Sequence, residues 1–294
     1  MNLMKRRLFI ETLLTASGTM ISLSAFKSAI ETQKSDDILM PALFVGHGSP
    51  MNAIEQNEWS KTWKEEAVKL PHPKAILCIS AHWYTRGTYV AIMPKPETIH
   101  DFGGFPKALF EVQYPAPGAP DLAHFTKKII TSATVQEDNE WGLDHGTWSV
   151  LAQMYPMADI PVYQLSVDYT KPAEYHYQVG KELLDLRKKG VLVIGSGNIV
   201  HNLGMVNFNH PDTAYDWAIE FDEKIKRLII EGNHQAIIDY KSLGKAATLA
   251  VPSNDHYLPL LYTLGLQQKN ETIGFFNEKS MMGSISMRSV KISQ

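Results

Sequence analysis

Cysteine is nearly absent from this chain, since Cys78 is the only one among 294 residues. A single thiol excludes an intramolecular disulfide, and it also excludes any cysteine-rich zinc or iron–sulfur site. A surplus of charge of one sign is missing as well, because 28 Lys and Arg stand against 31 Asp and Glu, a formal net charge of −3. Dedicated nucleic-acid binders usually carry a basic surplus, so we expect no nucleic-acid partner.

Two familiar active-site motifs are also missing. Gly195-Ser196-Gly197 follows an apolar run, but position 200 is Val, so the G-x-G-x-x-G dinucleotide fingerprint is incomplete. The G-x-S-x-G elbow typical of serine hydrolases does not occur. Histidine, by contrast, is present 11 times. If the protein binds a transition metal, imidazole and carboxylate groups must supply the ligands.

Residues 1–37 differ from the rest of the chain. Lys5, Arg6 and Arg7 precede a stretch that carries no charge between Glu11 and Lys27. That stretch is too short and too polar to form a stable membrane anchor. The pattern predicts a twin-arginine-like export signal with a linker, and therefore a periplasmic location. The alternative is a basic amphipathic N-terminus on a cytoplasmic protein.

Residues 38–294 have the pattern of one α/β domain. Short apolar runs alternate with helical spacing, and neither a linker nor a repeat divides them, which predicts a single domain with a central, mostly parallel mixed sheet flanked by helices. The predicted strands are 38–45, 75–80, 88–93, 161–166, 191–194, 272–276 and 284–292. The predicted helices are 56–70, one from 121, one ending near 155, 172–189, 214–231 and 256–264. The Gly/Pro/aromatic stretch 94–120 is predicted to be a lid or binding loop, because loops of this length are otherwise uncommon inside a domain.

Three histidines follow predicted strands. His47 and His82 come directly after strands 38–45 and 75–80, and His201 follows 191–194 after a predicted Gly/Ser turn. Ligands collect at the carboxyl ends of strands in open α/β sheets, so a metal site is expected there. His256 begins a late helix, and Asp144 and Asp255 are candidate carboxylate ligands. Spacing alone leaves the ligand set open between these residues.

Five other histidines lie among charged or helical positions and are expected to be solvent-exposed: His72, His124, His176, His210 and His234.

Six segments carry a resemblance that covers residues 41–291. They are PALFVGHGSPMNAIE, ISAHWYTRGTYV, IHDFGGFPKALFEVQYPAPG, WGLDHGTWSVL, GSGNIVHNL and DHYLPLLYTLG, in this order along the chain. Together they resemble the class III extradiol ring-cleavage dioxygenases, specifically the DOPA 4,5-dioxygenase group.

The resemblance implies a mononuclear metal site in a pocket at the strand ends. His47, His82 and His256 match metal-binding positions, and His201 matches a histidine that is either a fourth ligand or the acid/base. His145 matches a pocket histidine that contacts substrate. Better-known class III enzymes use a carboxylate as third ligand, whereas a histidine stands here. One divalent metal is implied, Fe(II) for activity or Zn(II) as bound.

The implied reaction inserts O2 into a catechol-type, DOPA-like ring and opens it to a semialdehyde. Phe102, Phe105 and Tyr114 of the long loop are candidates for stacking on that ring. Three alternatives remain from the residues: a tetrapyrrole metal chelatase-like protein, a metal-dependent hydrolase, and a metal-binding module without catalysis. The sequence specifies no oligomeric state.

Overall fold

Strands and helices alternate along residues 39–294, the part of the chain that the computed structural model describes; the predicted export signal and linker, 1–37, lie outside the described residues. The strands of this part are β1 Ala42–Gly46, β2 Ala75–Ser80, β3 Tyr84–Thr85, β4 Thr88–Ala91, β5 Val135–Asp138, β6 Val162–Gln164, β7 Val167–Asp168, β8 Val191–Gly197, β9 Thr272–Phe276, β10 Ser280–Met281, β11 Ile285–Ser286 and β12 Ser289–Ser293. Its helices are α1 Glu58–Lys69, α2 Lys107–Phe110, α3 Pro120–Ile129, α4 His145–Met154, α5 Ala173–Glu182, α6 Leu184–Lys188, α7 Asp216–Ile230, α8 His234–Ile238, α9 Lys245–Ala250 and α10 Leu258–Gly265. Short 3-10 turns occur at Pro50–Ala53, Leu203–Met205 and Tyr240–Leu243.

Six of these strands form the central sheet, in the order β6-β2-β8-β1-β12-β9. The pairs β6/β2, β2/β8 and β8/β1 are parallel, whereas β1/β12 and β12/β9 are antiparallel. The predicted α/β class, with a mostly parallel mixed sheet flanked by helices, is confirmed.

The centre of the sheet is buried on both faces because β1, β2 and the first half of β8 are almost entirely apolar. In β1, Ala42 and Phe44 belong to one hydrophobic cluster, whereas Leu43 and Val45 belong to the other. Successive side chains of a strand point to opposite faces, so an unbroken apolar run requires cover on both sides. Helices α5 and α10 cover one face, and α1 and α4 cover the other.

The carboxyl ends of β1, β2 and β8 lie side by side. Gly46 at the end of β1 pairs with Gly197 of β8, and Ser80 at the end of β2 pairs with Ser196. Two further hydrogen bonds to β8 follow directly beyond β1 and β2, from the His47 N–H to the Gly197 carbonyl at 3.1 Å and from the Ala81 N–H to the Ser196 carbonyl at 2.9 Å. The residues that follow the three strands are therefore delivered to one edge of the sheet.

Strand β8 is longer than predicted. It continues through Gly195-Ser196-Gly197, which the sequence had indicated as a turn after position 194. A Cβ atom at Gly195 would overlap the carbonyl oxygen of Pro259 in α10. Glycine therefore occurs here because a helix packs against the strand backbone, a reason that local propensity does not reveal.

Other predicted elements differ in their bounds or partners. Strand β4 is shorter than the predicted 88–93 and pairs with β5 outside the central sheet. The predicted helix 172–189 is two helices, α5 and α6, which meet at Leu183. The predicted strand 284–292 is divided into β11 and β12. Helices α8 and α9 were not predicted, because five and six residues are too few to show a helical period.

Within residues 39–294, no helix combines the length and the apolarity needed to cross a membrane.

The five histidines predicted to be solvent-exposed do not share one environment. His72, His124 and His210 are exposed, as expected. The prediction is wrong for His176, which is fully buried beneath α10 with its Nδ1 3.0 Å from the hydroxyl of Tyr262. It is also wrong for His234, which is half-buried with its Nδ1 2.9 Å from the hydroxyl of Tyr177. Both helical patterns looked polar locally, but neighbouring helices cover these positions.

Candidate metal centre

Five histidines line one cavity of about 620 Å³ at the carboxyl edge of the sheet. These are His47, His82, His145, His201 and His256, all of the histidines for which the sequence predicted a site role. The ring centroid of His47 lies 5.0 Å from that of His82 and 5.1 Å from that of His256. The predicted convergence of strand-end histidines thus occurs, and the late-helix histidine joins it.

Three of the five form a compact group of nitrogen donors. His47, His82 and His256 each offer one ring nitrogen, and these nitrogens lie within 4.8 Å of one another. The Nε2 atoms of His47 and His82 are 3.1 Å apart. Two nitrogens bound about 2.1 Å from one ion stand at such a separation, so the spacing fits ligands of a shared metal.

Hydrogen bonds behind the rings determine which nitrogen of His47 carries the proton. The Ser196 hydroxyl has a single hydrogen, and it donates to the Gly146 carbonyl at 2.6 Å. Its oxygen therefore accepts from Nδ1–H of His47, which lies 3.0 Å away. The Nε2 atom of His47 is left as a bare lone pair directed into the cavity.

Carboxylates hold the other two rings in the same tautomer. Asp255 accepts a hydrogen bond from Nδ1 of His256. Oδ2 of Asp101 lies 3.3 Å from Nδ1 of His82. Since a carboxylate only accepts, the His256 ring has its proton on Nδ1 and a lone pair on Nε2, and the negative charge of Asp101 favours the same tautomer in His82.

The Nε2 atoms of His47 and His82 meet at 3.1 Å, and a ring nitrogen of His256 lies within 4.8 Å of the group. Lone pairs so close together are unfavourable unless a cation lies between them. Neutral imidazoles backed by hydrogen-bond acceptors are the usual ligands of zinc and of non-haem iron. The donor set therefore fits one divalent metal ion.

The backbone places His256 in this group through a close approach to β8. The Asn198 N–H donates to the His256 carbonyl at 2.9 Å. A Cβ atom at Gly197 would overlap that same carbonyl oxygen. Glycine at the end of β8 is thus required for the late-helix histidine to reach the strand ends.

Burial keeps the histidines of the group neutral. Removal from water, together with the neighbouring imidazoles, lowers the pKa of His47 and of His256 well below the ordinary value. The same burial lowers the pKa of His82 to about 4. Neutral imidazole is the form that binds metal, so the site is ready for an ion at neutral pH.

His145 is held by Asp101, a residue that the sequence analysis did not single out. The backbone N–H and the ring Nδ1 of His145 donate to the two oxygens of Asp101, each at 2.9 Å. Burial alone would raise the pKa of the Asp101 carboxyl, but the contacts with His145 and His82 outweigh it and hold that pKa below its usual value. The signal in the sequence was its position between His100 and Phe102 in the predicted lid loop.

His201 has a different environment from the three-histidine group. Its ring stacks on that of His256, with centroids 3.5 Å apart, and it belongs with Asp255 and His256 rather than with His47 and His82. Among residues 39–294, no side chain forms a hydrogen bond with the His201 ring. Burial lowers the pKa of His201 to about 4. A neutral ring with an available nitrogen in the cavity is suited to moving a proton.

The two candidate carboxylate ligands have other positions. Asp144 is the N-cap of α4, where it accepts from the Thr147 N–H and from the Ser80 hydroxyl at 2.6 Å. It is fully buried and lies outside the three ligand groups found among the described residues. Asp255 lies beside the site and orients His256 from behind.

Two of the three aromatic residues predicted to contact a substrate line the cavity. Phe102 and Phe105 both do, and the ring of Phe102 meets that of His145 edge to face at 5.4 Å. Tyr114 does not line the cavity and is only 2% exposed. Its hydroxyl donates to the Tyr155 carbonyl at 3.0 Å, so the prediction is wrong for this residue, which packs beneath the loop.

Comparison with known proteins gives the same assignment along most of the chain. The family described as the catalytic LigB subunit of aromatic ring-opening dioxygenase matches residues 41–288. A protein of Escherichia coli (strain K12) named 4,5-DOPA dioxygenase extradiol is 47% identical over 257 residues, which cover 86% of this chain and 94% of that protein. One of the same name from Beta vulgaris is 35% identical over 268 residues, covering 88% of this chain and 98% of that protein.

The fold has a counterpart among solved structures. An uncharacterized protein from Escherichia coli K12 superposes with a TM-score of 0.76 at 42% sequence identity, covering 86% of this chain and 100% of the other. None of these similarities supports a chelatase or a hydrolase. With a family match over residues 41–288, the chain belongs to the LigB family of aromatic ring-opening dioxygenases, in the DOPA 4,5-dioxygenase group, and is an extradiol ring-cleavage oxidoreductase that acts on a catechol and O2.

Proposed function

We propose that this chain opens the ring of a DOPA-like catechol beside its diol, at one divalent metal ion held by His47, His82 and His256. The observation that carries the proposal is the group of three ring nitrogens within 4.8 Å of one another, with Ser196 and Asp255 hydrogen-bonded behind His47 and His256 and the Asp101 carboxylate 3.3 Å behind His82. The relatives from Escherichia coli and Beta vulgaris, which are named for DOPA, support the substrate class.

Fe(II) is the active metal in this proposal, and Zn(II) is a second ion that the same imidazoles accommodate. When bound, ferrous iron supplies the redox chemistry that activates dioxygen, and it lowers the pKa of the catechol hydroxyls. The protein supplies the arrangement: it holds three neutral rings in one tautomer and provides a cavity large enough for one aromatic ring.

His201 and His145 have separate roles in the proposal. A ring nitrogen of His201 accepts a catechol proton and returns it as the catechol ring opens. The imidazole of His201 is available for this because no side chain of the described residues forms a hydrogen bond with it. His145 has its Nδ1 committed to Asp101, so its Nε2 remains to hydrogen-bond and orient the substrate. Phe102 lies against His145 and covers the face of the cavity where an aromatic ring would stack.

The first experiment measures metal and activity together. Protein purified anaerobically is loaded with Fe(II) or with Zn(II), its metal content is determined, and O2 consumption is followed with DOPA, caffeate and catechol. We expect one metal ion per chain in both forms, and O2 uptake with a yellow ring-opened product in the iron form alone. Iron-loaded protein that yields no such product from any of the three substrates would overturn the proposal.

Three variants separate the roles of the histidines. His47→Ala and His82→Ala are expected to lose bound metal and turnover together. His201→Ala is expected to retain metal while turnover falls by about 100-fold, the usual contribution of a positioned proton-transfer group. Equal loss of metal and turnover in His201→Ala would make this residue a fourth ligand instead.

We also propose that the protein is exported to the periplasm by its N-terminal segment. The support is the basic cluster with Arg6 and Arg7 ahead of an uncharged stretch, all of it outside the described residues. Cell fractionation of the full chain and of an Arg6→Lys, Arg7→Lys double variant tests this. We expect wild-type protein in the periplasm and the variant in the cytoplasm, and wild-type protein that remains in the cytoplasm would overturn it.

A further inference from the structure

One wall of the active-site cavity is polar, and hydrogen bonds connect it from the histidines to an exposed carboxylate. Nδ2 of Asn52 donates to the His47 carbonyl at 3.1 Å, and Oδ1 of Asn52 accepts from Nδ2 of Asn57 at 2.8 Å. The same Nδ2 of Asn57 lies 3.4 Å from Oε2 of Glu55. All four residues line the cavity, so the wall leads from the metal centre to Glu55 at the solvent side.

Other parts of the cavity lining are apolar. Phe102 and Phe105 contact each other with ring centroids 5.3 Å apart, and Trp59 and Val206 also line the cavity. An aromatic ring held at the histidines would contact these side chains. A substituent of that ring which reaches toward solvent would meet the asparagine wall and Glu55.

The charged side chains that line the cavity all have one sign. Among the described residues that line it, Asp101 and Glu55 are acidic and none is Lys or Arg. The Asp101 carboxylate is already occupied by His145 and His82. Lys107, two positions after Phe105, is 89% exposed and paired with Glu111 at 3.2 Å. A cationic substituent is therefore matched at the mouth of the cavity, whereas an anionic one has no described cation to meet.

We propose that Glu55 forms a subsite for the protonated amine of a catechol's side chain. This rests on the proposed function, and it narrows the substrate class to catechols that carry an alkylammonium group. In a zwitterionic side chain such as that of DOPA, the ammonium is the group recognised and the carboxylate is not. A catechol amine without a carboxylate is thus preferred over one that bears it.

The test compares catechols whose two-carbon side chain bears a cationic group, no further group or an anionic group. The full, iron-loaded enzyme is assayed with dopamine (cationic), 4-ethylcatechol (neutral) and dihydroxyphenylpropionate (anionic). Anaerobic equilibrium binding of the same three compounds to zinc-loaded protein gives a second readout, which does not depend on turnover. For wild type we expect kcat/KM and affinity to fall in the order cationic, neutral, anionic.

Glu55→Gln is the informative variant, with Glu65→Gln as its control. Glu65 is another exposed carboxylate of the same region, 4.0 Å from Lys61 and not among the cavity residues. We expect the dopamine to 4-ethylcatechol ratio of kcat/KM to fall about fivefold in Glu55→Gln, the effect of one partly screened ion pair, and to stay at the wild-type value in Glu65→Gln.

The outcomes keep the two proposals apart. Cleavage of 4-ethylcatechol with an unchanged ratio in Glu55→Gln would overturn the ammonium subsite and leave the dioxygenase assignment intact. An equal fall in both variants would assign the effect to net charge and overturn the subsite too. Failure of every catechol to bind or react would overturn the proposed function, and this inference with it.

Discussion

His145 gives both its backbone N–H and its ring Nδ1–H to the carboxylate of Asp101, at 2.9 Å each. The same carboxylate lies 3.3 Å from Nδ1 of His82. Asp101 belongs to the long loop between β4 and α2, whereas His145 begins α4 and His82 follows β2. One side chain thus connects the loop to two separate histidines of the centre and orients both rings.

Asp101→Asn is expected to lower kcat/KM by about 10- to 100-fold, the typical cost of losing a carboxylate behind a metal-site histidine. The amide keeps one acceptor oxygen but directs an N–H donor at a ring nitrogen that also donates. Metal affinity, measured with a competing chelator, should fall with it, because His82 loses the negative charge behind its ring. Asp138→Asn is the control, since Asp138 accepts from the backbone of Glu140 and Trp141 outside the cavity. Wild-type kinetics in Asp101→Asn would contradict the positioning role.

Ser196→Ala is expected to weaken metal binding by about 10-fold or more, because His47 loses the acceptor that keeps its proton on Nδ1. The Gly146 carbonyl loses its donor as well, so we expect a stability loss of about 1–3 kcal/mol. Chelator competition and urea unfolding measure the two effects. Ser284→Ala removes another buried hydroxyl, one that donates to the Asn202 carbonyl, and should leave metal affinity unchanged. If Ser196→Ala binds metal as tightly as Ser284→Ala does, the role of Ser196 in keeping the His47 proton on Nδ1 would be contradicted.

Gly197→Ala is expected to abolish metal binding, because the added methyl group overlaps the carbonyl oxygen of His256 and must displace that residue from the strand end. Metal analysis of the purified variant measures this directly. Gly274→Ala is a matched strand glycine in β9, where the nearest atom to the new Cβ would be Lys291 Cε at 3.8 Å, and it should bind metal normally. A Gly197→Ala protein with a full complement of metal would contradict the close-approach explanation.

His176 is expected to make stability depend on pH. Burial lowers its pKa from 6.5 to about 4 in the folded protein. Between these values the unfolded chain binds a proton that the folded chain does not, so the free energy of unfolding falls as pH falls, by up to about 1.4 kcal/mol per pH unit. His176→Asn keeps a polar atom near Tyr262 but does not titrate in this range. The difference between the unfolding free energies of wild type and variant should therefore shrink from pH 6.5 towards pH 4. A difference between the two unfolding free energies that stays the same at every pH would contradict the assignment.

The site was predictable from the sequence to the extent that local patterns place it. His47, His82 and His201 each follow an apolar run, and parallel strands end at a common edge, so their convergence follows from pattern and fold class alone. His256 and His145 were assigned through family resemblance, since neither follows a strand. The resemblance was confirmed by the family match over residues 41–288.

The hydrogen-bond partners of these histidines could not be predicted from local sequence patterns. His47 and Ser196 are 149 positions apart, and Asp101 and His145 are 44 apart. Hydrogen bonds across such distances leave no period in the sequence. Tyr114 and His176 were misjudged for a related reason, because packing by neighbouring elements decides whether an aromatic or polar side chain faces a cavity, the core or water.

The sequence by itself determined the α/β class, the metal-binding character of the site and the exclusion of thiolate chemistry, because composition and apolar periodicity act locally along the chain. Only the tertiary structure decided which lone pairs meet, which carboxylate orients which ring, and that the cavity is lined by Glu55 without a described lysine or arginine. Those properties depend on distances of a few ångströms between segments far apart in sequence. Such distances exist only once the sheet brings its strand ends together.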